Sequence, residues 1–550
     1  MKKVLQKFDW KLRLSLLIFA LGIFFRVWHF SDWLFFKRDQ ARDAFVIWQA
    51  YTHGPGWLPL LGPNATGSQF YSGPIFYYFQ YIASLLFQSV RPAVLAFPDL
   101  FFSMLTIPLF YFFLKKYFSR NWSLAFAALF SVNFLAVEYS RFAWNPNSLP
   151  FFNLLYFYSI LNIFDSNAKH QWRWAFLAGV SFAMATQLHV LSEIALPIIT
   201  VIFLLLKIPN IKKHLDWKKI TIAVFSALLI YIPVFINEIA THASNTGKLF
   251  SAVEGEPYYT SFAANLLAVA QNIGQGWVLV LSGYIAKKAE YLLTAFAWVV
   301  LILPALWLIL RKLKKEKDER RKNFLLILSL WFFGYAAIFL PVALHFQPRF
   351  FLPILFLPLI FLALILLWLW DKNSKILKGL SITILLGAFL GNIAGIFLWF
   401  GEIRGAEQGF AAKPERTVIL KIQDGITLWH LEQAAEYMKN SCDKTVIYYY
   451  AISEYTTPIE YVLKLKNIDA YPLETYRADQ PGCFFAFEPS RLGENKLDKK
   501  IMGNFSIVEY QTRGILRVYR LQLKENADMS IFGETSQKKK RQLLWRDLWF

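Results

Sequence analysis

The stretch Phe350–Trp370, FFLPILFLPLIFLALILLWLW, decides the fold class, because 21 residues pass without a charge. A helix of that length reaches about 30 Å, the thickness of a bilayer's hydrocarbon core. Outward from it, apolar runs recur near Leu14–Phe30, Val94–Leu114, Ser123–Tyr139, Pro150–Phe164, Trp174–His189, Ser192–Leu206, Ile220–Ile236, Tyr291–Leu310, Phe324–Ala343 and Leu377–Phe400. That makes about eleven transmembrane helices in an α-helical polytopic membrane protein. The composition agrees, with 56% hydrophobic residues concentrated in these runs.

The net charge of +21 could suggest nucleic acid, but its distribution argues against it. Lys and Arg cluster in short segments between apolar runs: Lys115–Arg120, Lys169–Arg173, Lys207–Lys219, Arg311–Lys322 and Lys372–Lys378. With a cytosolic N-terminus all of them fall on one side, as the positive-inside bias requires. No small-residue cleavage site follows the first run, so it is expected to remain as an uncleaved span. The apolar segment Ile75–Val90 is the ambiguous case. A crossing there would put Arg311–Lys322 outside, so the charge pattern makes it an interfacial helix.

Residues 1–400 then form a membrane domain with external loops 31–93 and 237–290. Residues 401–526 form a small extracytoplasmic α/β domain, with helices at Leu428–Met438 and Pro458–Lys464. Strands are expected at Thr445–Tyr450 and Cys483–Phe487, and a hairpin near Arg513-Gly514. The only cysteines, Cys442 and Cys483, lie in this domain, where external topology permits a disulfide. The basic aromatic tail, 527–550, is expected to be disordered from Lys538 onward and in contact with lipid.

Ionisable residues near membrane depth are costly and mark function. The first external loop holds Lys37-Arg38-Asp39-Gln40-Ala41-Arg42-Asp43. Asp39 and Asp43, four apart, share one helical face, either as a solvated turn or as a general base tuned by neighbouring Arg. Farther along, Leu61-Gly62-Pro63-Asn64 and Tyr71-Ser72-Gly73-Pro74 set turn formers among aromatics, either a plain loop or a sugar platform.

The chain resembles a glycosyltransferase of the GT-C superfamily, close to the family 39-like bacterial enzymes related to protein O-mannosyltransferases and the lipid A aminoarabinose transferase. The acidic motif around Asp39 carries the resemblance first. Ser72-Gly73-Pro74, Ser140–Asn147 (SRFAWNPN), Gln187-Leu188-His189, Pro233–Glu238 and Arg349–Pro353 continue it, over about Leu14–Trp370. Relatives often have Asp-Glu where this chain has Asp39-Gln40, which removes one carboxylate unless Asp43 supplies it. The resemblance implies Asp39 as catalytic base. Arg349, Arg141, His345 and His189 become candidates to hold a donor phosphate. Arg42, Asp43, Tyr71, Trp144, Asn145 and Glu238 become candidate substrate contacts. For Arg141 the alternative is a snorkelling interfacial arginine, and for His189 a satisfied helix-end histidine.

The implied reaction moves a sugar, with inversion, from a polyprenyl-phosphate donor to a lipid, glycan or protein acceptor on the extracytoplasmic side of a cell membrane. No acidic cluster calls for a metal, and no cofactor is expected. A transporter or flippase of a lipid-linked or anionic substrate is the rival, although no internal repeat supports it. A non-catalytic scaffold is a second rival, in which Asp39 would be dispensable.

Overall fold

The computed structural model describes residues 10–65, 69–254, 261–284, 289–409, 425–442, 446–452, 454–477, 479–489, 497–532 and 542–548. A helix or helix pair stands at each expected span. Among the described residues, six helices are long and apolar enough to cross a membrane, or seven if the bent pair Pro348–Ile354 and Leu357–Trp370 counts as one. This is fewer than about eleven, because several runs fold as shorter or more charged helices. Trp10–Val27 carries Arg26, Leu149–Ile163 and Val190–Leu206 are short, and Ser123–Tyr139 breaks in two. Asn133 makes that break by accepting from Ala136 N at 3.1 Å, capping the second piece. The 50° bend within 348–370 falls where Pro353 and Pro358 interrupt the helical ladder.

One segment differs from its expected place. Residues 237–290 are expected as an external loop, whereas Phe262–Ser282 is a 21-residue helix packed among the others, its apolar pattern interrupted by Asn265, Gln271, Asn272 and Gln275. Its polar side chains are satisfied inside: Asn265 donates to Leu340 O and Asn272 to Ala343 O, both at 2.7 Å. Ile75–Leu86 is a 12-residue helix. At about 18 Å it is too short to cross.

The basic segments meet at one end of the bundle. Lys116 pairs with Asp165 at 2.8 Å, Lys207 lies 3.9 Å from Glu319, and Trp122 packs edge-on against Trp370. At the other end sits the C-terminal domain, a five-stranded mixed sheet. Its strands are β1 (Val446–Ala451), β2 (Ala470–Pro472), β3 (Gly482–Pro489), β4 (Phe505–Arg513) and β5 (Leu516–Leu523), in the order β2-β1-β3-β5-β4. β1 is parallel to β2 and β3, and the hairpin β4–β5 adds antiparallel strands around Gly514. Helices Leu428–Asn440 and Thr456–Leu465 accompany the sheet, and Cys442 is disulfide-bonded to Cys483 with Cα atoms 5.7 Å apart.

This domain is fastened to the first loop. Leu428 N donates to Leu34 O at 2.8 Å, Tyr461 OH to Val90 O at 2.6 Å, and Lys37 pairs with Glu454 at 2.8 Å. The Tyr461 ring packs against Phe36, Phe45 and Trp48, while Lys464 lies over Phe45 and Trp48. Helix Thr456–Leu465 therefore braces helix Arg38–His53, which carries Asp39. Residues 533–541, 549 and 550 of the tail lie outside the described residues. Gln542–Leu548, expected to be disordered, instead packs against the first loop.

Candidate active site

Helix Arg38–His53 begins where Gln40 folds back, its Oε1 accepting from Lys37 N at 3.0 Å. Gln40 is thus buried in the helix start. One turn fixes three charges. Arg42 bonds Asp39 at 3.0 Å through Nη1 and Asp43 at 2.8 Å through Nε and Nη2. Tyr77 OH donates to Asp43 at 3.0 Å. The acids then part company: the Asp43 side chain is 0% exposed and that of Asp39 41%. Burial pushes the Asp43 carboxyl above the usual range, against the pull of Arg42. Asp43 anchors Arg42, and Arg42 aims Asp39.

Asp39 and Arg42 line a cavity of about 90 Å³ together with Pro63, Asn64, Ala65, Ser72, Trp144, Asn145, His189, Val190, Arg349 and Phe350. The Arg349 guanidinium stacks 4.8 Å from the Trp144 ring centre and 5.3 Å from that of Phe350, and its charge feels Asp39. Trp144 is placed by Asp99, a residue the sequence reading passed over. The Asp99 carboxylate accepts from Trp144 N at 3.0 Å and from Ser148 Oγ at 2.5 Å. Asn145 donates to Leu188 O at 2.6 Å, tying this loop to the turn that bears His189. His189 Nδ1 accepts from Leu191 N at 3.2 Å, capping the next helix and leaving Nε2 as the ring nitrogen the cap does not use. The opposite wall depends on a close backbone approach. A Cβ on Gly62 would lie 2.1 Å from Gly73 O, and Gly73 itself abuts Gln187.

Residues 71–236 match the family model for dolichyl-phosphate-mannose-protein mannosyltransferase. That span contributes Ser72, Trp144, Asn145, His189 and Val190 to the cavity. ArnT from Cupriavidus metallidurans shares the fold: its apo form aligns at 10% identity and TM-score 0.52, covering 93% of this chain and 97% of that one. Its undecaprenyl phosphate-bound form aligns at 11% and 0.54 with the same coverage. The apo oligosaccharyltransferase of Archaeoglobus fulgidus aligns at 14% identity and TM-score 0.51, covering 89% of this chain and 71% of its own. The chain therefore has the fold of these two proteins, and the family match is confined to residues 71–236. No curated protein sequence matches it.

Of the residues named from the sequence, Asp39, Arg42, Trp144, Asn145, His189 and Arg349 line this one cavity. Asp43 stands behind them. Arg141 needs correcting as a phosphate ligand, since it is buried outside the cavity lining. Its guanidinium donates to Phe25 O, Arg26 O, Trp28 O and His29 O at 2.6–3.1 Å, capping the first helix. His345 is exposed, closes a short 3-10 turn and is not among the lining residues. Tyr71 N donates to Asn245 Oδ1 at 2.9 Å, and Tyr71 O accepts from Asn245 Nδ2 at 3.0 Å. Glu238 accepts from Thr246 N at 3.1 Å. Neither lines the cavity. Among the described residues no three His, Cys, Asp or Glu converge as metal ligands.

Proposed function

We propose that the chain is an inverting glycosyltransferase that moves a sugar from a polyprenyl phosphate to an acceptor at the extracytoplasmic face of a cell membrane. The observation that carries this reading is one cavity lined by both Asp39 and Arg349. Asp39 takes the proton of an acceptor hydroxyl as that oxygen bonds to the anomeric carbon. The bond from this carbon to the phosphate oxygen breaks, and its electron pair leaves with the lipid phosphate. Attack opposite the leaving group inverts the centre. Phosphate departs readily at neutral pH, so one base serves where a glycosidase needs two carboxylates. Arg349, held over the Trp144 ring, receives the charge that grows on the phosphate.

The donor class is supported by the name of the matched family and by the neighbour solved with undecaprenyl phosphate. Two observations support this side of the membrane. The basic segments gather at the end away from the cavity, and the disulfide lies in the domain next to it. A flippase would need no base beside the phosphate site.

The test is covalent transfer by the purified chain, using a panel of undecaprenyl-phosphate-linked hexoses and pentoses with lipid, glycan and peptide acceptors. Asp39→Asn is expected to lower turnover at least 10³-fold, within the range for losing a general base, and to leave the melting temperature unchanged. Near-normal turnover by Asp39→Asn would remove the base assignment.

A further inference from the structure

The wall of the cavity formed by Pro63, Asn64 and Ala65 is not free-standing. Gly62 N donates to Ser72 O at 2.7 Å and Ser72 N to Pro63 O at 3.1 Å, so 62–65 and 70–72 form a small antiparallel pair. Its outer side is bonded to the far end of the chain. Leu60 N donates to Leu543 O at 3.0 Å, Trp545 N to Leu58 O at 3.1 Å, and Gln542 Nε2 to Gly62 O at 2.9 Å, with a β-bridge between Pro59 and Leu544.

Two side chains lock this third layer. Trp545 Nε1 donates to Tyr78 OH at 2.9 Å, and Tyr78 OH in turn donates to Pro59 O at 3.2 Å. The Arg546 guanidinium lies 3.3 Å from the Trp57 ring centre. A turn-rich segment with three glycines and three prolines between Gly54 and Gly73 has little order of its own. Its Gly62 amide is bonded within the segment, to Ser72 O, whereas its Leu60 amide finds its partner more than 480 residues away in sequence.

We infer that Gln542–Leu548 is a structural layer of the active-site wall, with Trp545 and Arg546 as positioning residues that hold residues 57–65 against the cavity. This rests on the cavity being the transfer site, as proposed above. The tail touches none of the reacting groups. It acts by fixing the backbone that carries Pro63, Asn64 and Ala65.

The test compares the full chain with a deletion of 542–550 and with Trp545→Ala, Trp545→Phe and Arg546→Ala. Hydrogen exchange and sugar transfer are read together. The deletion and Trp545→Ala are expected to speed exchange at the Leu60 amide at least tenfold and to lower transfer at least tenfold. Exchange in helix Phe97–Lys115 and the melting temperature should stay put. Trp545→Phe keeps the ring and loses the bond to Tyr78, so it should fall between wild type and Ala. Transfer within twofold of wild type in the deletion, or an unchanged Leu60 amide in Trp545→Ala, overturns the inference. If the deletion fails to fold, the point variants decide by the same two readings. Asp39→Asn separates the two ideas. Activity retained there removes the transfer site, whereas a tail without effect beside an inactive Asp39→Asn removes only the tail's role.

Discussion

Two arginines at the same end of the bundle have opposite fates. Arg141 is closed inside, with Nη1 and Nη2 donating to four carbonyls at the end of the first helix. Arg349 faces a cavity, stacked on Trp144 and Phe350. Asp43 and Asp39 repeat the contrast one helical turn apart. In each pair the residue that ends a helix or anchors a neighbour is buried and held by the fold, and its partner lines the cavity. Chemistry needs a charge whose valence is not already filled by the fold.

Substitution within these pairs can break that comparison. The largest effect is expected at the cavity: Arg349→Ala should lower kcat/KM about 10²–10³-fold, the cost of removing one charge-stabilising donor, with Arg349→Lys between. Its melting temperature should stay near wild type. Arg141→Met should do the reverse. Orphaning buried carbonyls costs about 3 kcal/mol, seen as a lower melting temperature and lower yield, while surviving protein keeps its kcat. If Arg141→Met were stable and inactive, the two roles would have been assigned backwards.

A smaller effect sharpens the acid pair. Asp43→Asn keeps an acceptor for Tyr77 but loosens Arg42, so turnover should drop about tenfold through misaimed Asp39, far less than in Asp39→Asn. Equal losses in the two variants would mean that both acids act directly.

The smallest effect concerns the seam between the domains. His430 is buried, with Nε2 donating to Ala406 O and Nδ1 accepting from Thr427 N, and burial pushes its pKa down to about 4. The unfolded chain binds this proton near pH 6.5, so stability is complete above that pH and is lost as pH falls toward 4. At pH 5 the loss is about 2 kcal/mol. A His430→Gln variant should show a flatter melting temperature between pH 7 and 5; an unchanged slope would place the sensitivity elsewhere.

Much of this protein was legible from one dimension. Phe350–Trp370 and its counterparts announce a membrane bundle because lipid tolerates only apolar helices. The spacing of basic segments ordered the ends, and the strands and hairpin of the C-terminal domain appear close to where alternation placed them. The acid in Arg38–Asp43 was visible because charge at that depth is expensive. Pattern gives the face a residue sits on, whereas partners come from elsewhere in the chain. Arg141 and Arg349 look alike until the four carbonyls of residues 25–29 and the ring of Trp144 are in place. The Asp99 brace, the polar helix Phe262–Ser282 and the return of Trp545 to Leu58 are long-range pairings. No local signal encodes them, because backbone and polar groups take whichever buried partner the tertiary fold delivers.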